Sequence, residues 1–143
     1  MEKAITFKFT EKNFDNPKQM QALTLAYIGD SIYDIISREY IMKHHLGKIN
    51  DLHHTVSTIV SARAQARFMM YLLEENFLTE EEKKIYNRAK NQKNNSKAKN
   101  SSIMEYKLAT GLEAVFGYLY LEKNFERLEE MFNHIIKFYE KKQ

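Results

Sequence analysis

Thr110-Gly111-Leu112-Glu113-Ala114-Val115-Phe116-Gly117-Tyr118-Leu119-Tyr120-Leu121 is the stretch whose reading decides the fold. From Leu112 onward, apolar residues point to every side of a helix, and a helix that is apolar all round is the central one of its domain. One carboxylate, Glu113, interrupts it. Burying an ionised carboxylate is costly unless a cation, a donor or a metal compensates it. Working outward, Ser102 with Glu105 three residues later is a capping-box pattern, so the spacing predicts a helix over 103–121.

A second carboxylate sits in a similar setting, in Leu25-Ala26-Tyr27-Ile28-Gly29-Asp30-Ser31-Ile32-Tyr33-Asp34. Met20, Leu23, Tyr27, Ile28, Ile32, Ile35, Ile36 and Tyr40 recur close to helical spacing. They predict one long helix, opened by Asp15-Asn16-Pro17 and running to about Met42, with a jog near Gly29. Asp30 and Glu113 on two central helices invite a shared partner. That partner is either a basic side chain, Arg63 or Arg67, or a divalent metal held by hard oxygen ligands. Asp34, one turn after Asp30, is either an outer support for such a metal or the partner of Arg38.

The remaining segments read as helices over 52–60, 61–76, 79–90 and 125–140, the third opened by the Thr79 and Glu82 capping pattern. Four glycines and one proline in 143 residues leave little turn chemistry for a many-stranded sandwich or barrel. With 43% apolar and 29% charged residues, a single all-α domain follows. The absence of cysteine excludes disulfide scaffolds, thiol catalysis and Cys-ligated metals, and fits a reducing, cytoplasmic setting. No apolar run approaches the roughly 20 residues of a membrane span. Four of the five histidines come as adjacent pairs, His44-His45 and His53-His54, whose members face different sides of a helix, and the five make no convincing zinc site. P-loop, dinucleotide and esterase patterns are missing.

Net charge is +3, but its distribution is uneven. Over 83–100 the basic residues are Lys83, Lys84, Arg88, Lys90, Lys93, Lys97 and Lys99, with no acid among them. Such a block is either solvated surface lysine or a site for a polyanion such as nucleic acid. The segment 91–100 has no large apolar residue and is expected to be a surface loop.

The stretches around Asp30 and Glu113 resemble the signature helix and the second acidic motif of the ribonuclease III family. Asn16-Pro17, Val60-Ser61-Ala62-Arg63-Ala64-Gln65-Ala66 and Arg88-Ala89-Lys90-Asn91 agree with it, so the likeness extends over about 16–123. The larger enzymes of that family carry Glu where this chain has Ala26 and Asp where it has Thr110. A short bacterial branch, consisting of the catalytic domain alone, shares both losses. The resemblance implies an all-helical homodimer that cleaves double-stranded RNA with Mg²⁺. Asp30 and Glu113 would be the catalytic and metal-holding residues, with Arg88, Lys90, Asn91, Lys93, Lys97 and Lys99 on the RNA. Residues 1–15 are expected to be an N-terminal extension and 16–143 the catalytic domain, without a double-stranded-RNA-binding domain. The expected task is endonucleolytic maturation of precursor large-subunit (23S) ribosomal RNA. The rival reading is a helical RNA-binding or ribosome-associated protein of the same fold that has lost the chemistry.

Overall fold

The structure is a computed structural model that describes residues 16–44, 48–92 and 102–142. A short 3-10 turn at Pro17–Gln19 precedes six helices: α1 (Ala22–His44), α2 (Ile49–Val60), α3 (Ala62–Glu74), α4 (Glu80–Lys90), α5 (Ile103–Leu121) and α6 (Phe125–Lys141). The expected all-α class is what is seen. Helix α5 occupies the centre, against α1, α3, α4 and α6. Between Leu108 and Leu119 every residue of α5 is buried except Glu113.

Termini of the helices follow from local chemistry. Both capping boxes form: the Thr79 hydroxyl accepts from the Glu82 amide while Glu82 accepts from the Thr79 amide, and Ser102 with Glu105 does the same at α5. The long first helix does not run unbroken from Pro17. Asn16 caps only the 3-10 turn, Met20 is extended, and α1 starts at Ala22. The Arg88 guanidinium fixes this break, donating to the carbonyls of Lys18 and Met20, each at 2.9 Å. Gly29 lies inside an uninterrupted α1.

Gly29 matters for another reason. A Cβ built on it would stand 1.7 Å from the Glu113 carbonyl oxygen, and one on Gly117 would stand 1.9 Å from the Leu25 carbonyl oxygen. Helices α1 and α5 therefore cross with their backbones in contact, which only glycine at both positions allows. Around this crossing the interior is filled by Leu25, Tyr33, Phe68, Leu112, Phe116 and Met131 among others. Tyr33 meets Phe116 edge to face with ring centres 5.1 Å apart.

Candidate active site

The crossing sets Asp30 beside Glu113. Asp30 is one residue past Gly29 on the exposed side of α1, and Glu113 is the residue whose carbonyl abuts Gly29. Glu113 is half-buried. Its pKa is pushed up from 4.5 to about 8, first by burial, then by the charge of Asp30 and a hydrogen bond with it; a hydrogen bond from the Gln65 carboxamide opposes the rise. Below about pH 8 the metal-free pair thus holds a proton on Glu113 that a lone surface carboxylate would have lost.

No arginine answers these charges. Arg63 lies instead 3.6 Å from Glu105, and neither it nor Arg67 contributes to the environment of Glu113. Asp34 bonds Arg38, 2.9 Å away on the next turn, and the acid that Glu113 feels is Asp30. Ala26, one turn before Asp30, is buried, and the buried Thr110 returns its hydroxyl to the Tyr106 carbonyl at 2.9 Å. The site is accordingly built on two carboxylates, and among the described residues no group of three or more acids, histidines or cysteines is arranged for a metal.

Two carboxylates suit a hard divalent cation that keeps much of its water. Mg²⁺ keeps several waters and binds through one or two carboxylates plus substrate phosphates, without a closed protein cage. The donor set here fits it: hard oxygens only, Asp30 open to solvent, Glu113 walled by the core, and mutual repulsion that a divalent cation relieves. Gln65, 2% exposed beside Glu113, adds a carboxamide oxygen without a hydrogen-bond partner.

The residues named from the sequence as RNA-binding divide into two groups. Arg88 is engaged with the Lys18 and Met20 carbonyls; the Lys90 ammonium stands 5.6 Å from the centre of the Tyr86 ring; Asn91 ends α4. Lys93, Lys97 and Lys99 lie outside the described residues, as do residues 1–15. One charged centre escaped the sequence reading, which gave Glu82 only its capping role with Thr79. Glu82 is 2% exposed and accepts two hydrogen bonds from Arg127, both at 2.8 Å; the same guanidinium donates to the Phe77 carbonyl and to Glu130 and lies over the Phe77 ring.

The helical frame that carries this crossing is one that known proteins share. The ribonuclease III domain model matches residues 23–124, and the chain belongs to the ribonuclease III family. It is an endoribonuclease of that family. Within it the likeness is to Mini-ribonuclease 3 proteins: 45% identity to the one from Enterococcus faecalis, over 84% of this chain and 91% of that one. The Mini-ribonuclease 3 of Clostridium tetani is 43% identical over 93% of this chain and 85% of its own. A crystal structure of a protein from Fusobacterium nucleatum superposes with a TM-score of 0.77 at 33% identity, covering 87% of this chain and 99% of that one.

Proposed function

We propose that the chain is a Mg²⁺-dependent endoribonuclease that cleaves double-stranded RNA as a twofold homodimer, each subunit cutting one strand, in the maturation of precursor 23S ribosomal RNA. The observation that carries this reading is the juxtaposition of Asp30 and Glu113. When bound, Mg²⁺ polarises the scissile phosphate and makes a nucleophile of water at neutral pH. Asp30 and Glu113 would hold it, Asp30 from the solvent side and Glu113 from the core side. Glu113 must give up its proton to do so, and cation binding therefore releases a proton and strengthens as pH rises toward about 8. The rigid α1–α5 crossing keeps both carboxylates in place before the substrate arrives, so that little reorganisation is left for the reaction. The ribosomal substrate rests on the family resemblance; cells depleted of the protein should accumulate 23S precursor with unprocessed ends.

The dimer is supported by Tyr27, a large aromatic residue 82% exposed, three positions before Asp30 on α1. A second copy placed there would bring the two acidic pairs near one twofold axis.

Asp30→Asn and Glu113→Gln test the acidic pair directly. Each keeps the side-chain shape and removes a charge. Both should stay folded, bind duplex RNA and lose at least a hundredfold in cleavage; parental rates from either purified variant would remove the assignment. The RNA-binding role of the basic segment has its own measurement. Replacing Lys93, Lys97 and Lys99 with Gln should flatten the salt dependence of duplex binding by roughly one unit of slope per lost phosphate contact. An unchanged slope would return those lysines to ordinary surface.

A further inference from the structure

Helix α2 ends at Val60, and α3 begins at Ala62 after the extended Ser61. The last carbonyls of a helix find no partner within it, and two at this corner are taken by side chains of other elements. The Ile59 carbonyl accepts from the buried Tyr33 hydroxyl at 2.9 Å. The Val60 carbonyl accepts from Gln65 Nε2 at 3.1 Å. Both side chains are also coupled to Glu113: its charge is felt at the Tyr33 hydroxyl, and the Gln65 carboxamide favours its charged form.

Gln65 occupies an expensive place. It is 2% exposed and its Oε1 has no hydrogen-bond partner. A buried polar atom left bare costs stability that a methionine or leucine at the same position of α3 would not. What the carboxamide provides is direction: Nε2 is tied to a fixed main-chain carbonyl, and from that anchor the carboxamide favours the charged form of Glu113, as a donor facing the carboxylate does. A lysine or arginine there would pair with Glu113 and compete with a cation for it. A carboxamide orients the carboxylate and leaves its charge in place.

We propose that Gln65 is a positioning residue for the active site: braced on the Val60 carbonyl, it holds the Glu113 carboxylate so that Glu113 and Asp30 reach the same divalent cation. The inference rests on the reading of Asp30 and Glu113 as the cation-holding pair. It also gives the α2–α3 corner a function, since the corner supplies the fixed carbonyl from which the carboxylate is aimed.

The test is Mn²⁺ affinity, measured on the full chain without RNA by electron paramagnetic resonance, together with the Mg²⁺ concentration giving half-maximal cleavage of a duplex. Gln65→Met keeps length and helix compatibility and removes the donors; circular dichroism and melting confirm the fold. Its Mn²⁺ affinity should fall by about 10-fold to 100-fold, the range found when a residue orienting a metal ligand is lost. The Mg²⁺ requirement should rise in step, with a smaller loss of maximal rate at saturating Mg²⁺. In a Glu113→Gln background the same substitution should cost no further affinity. A folded Gln65→Met protein with parental affinity and Mg²⁺ requirement, or one that loses affinity equally in both backgrounds, overturns the proposal. Should Gln65→Met not fold, Gln65→Asn, which keeps a carboxamide too short to span both partners, is judged by the same measurements. If Glu113→Gln alone keeps parental affinity and cleavage, the acidic-pair reading falls, and this inference with it; loss in Glu113→Gln without loss in Gln65→Met rejects the positioning role alone.

Discussion

Glu113 carries its charge against its surroundings, and stability should register this. Its pKa lies near 4.5 in the unfolded chain and about 8 in the metal-free fold. Between these values the native state holds a proton that the unfolded state has released, so this group's contribution is complete below about pH 4.5 and is lost as pH rises through 8. The slope is at most about 1.4 kcal/mol per pH unit. Urea unfolding in EDTA should show Glu113→Gln gaining on the parent from pH 5 to pH 8.5, and parallel curves would contradict the raised pKa. This site was legible because a lone acid inside an apolar run has few explanations. Glu82 was not: its sequence neighbours are acids and lysines, and the Arg127 that draws it inside lies 45 positions away. Lys83 and Lys84, read as part of a free basic block, are likewise partly matched locally, by Glu80 and Glu81.

Helices α1 and α5 depend on two hydrogen side chains. Gly29→Ala would place a methyl carbon 1.7 Å from the Glu113 carbonyl oxygen, and backbone on the other side cannot rotate away as a side chain can. The helices must part. Overpacking of this kind costs about 1–3 kcal/mol or more, and because the displaced residue is Glu113 itself, cleavage should fall further than the drop in melting temperature accounts for. Comparing activity with fraction folded at several temperatures separates the two; a fully active, equally stable variant would show that the crossing is loose. Helix starts marked by reciprocal caps, at Thr79 and Ser102, were readable to the residue because the signal is local. The start of α1 was misplaced because Asn16-Pro17 is the signal of a 3-10 turn as much as of an α-helix, and the Arg88 contacts that separate the two come from α4.

The whole molecule presents one acidic pair among its described residues, hence one cut at a time, while a duplex has two strands. Under the proposed twofold assembly, a dimer of one parental and one Asp30→Asn subunit should bind duplex RNA normally and nick a single strand per encounter. Concerted double-strand cuts by isolated mixed dimers, or an active species that sediments as a monomer, would end the one-site-per-strand scheme. The all-helical class and the centrality of α5 were visible in composition and periodicity; the face proposed for the twofold contact is marked by Tyr27, whose exposure the sequence could not display. The contact of main chain on main chain at Gly29 and Gly117 has a last consequence, for inheritance. A gap set by side chains shifts whenever one of them is exchanged, whereas a gap set by two backbones is a hard stop. Leucine may drift to isoleucine or methionine throughout the interior and the two acids keep their spacing, so the lineage can rewrite most of its core while passing on the same chemistry.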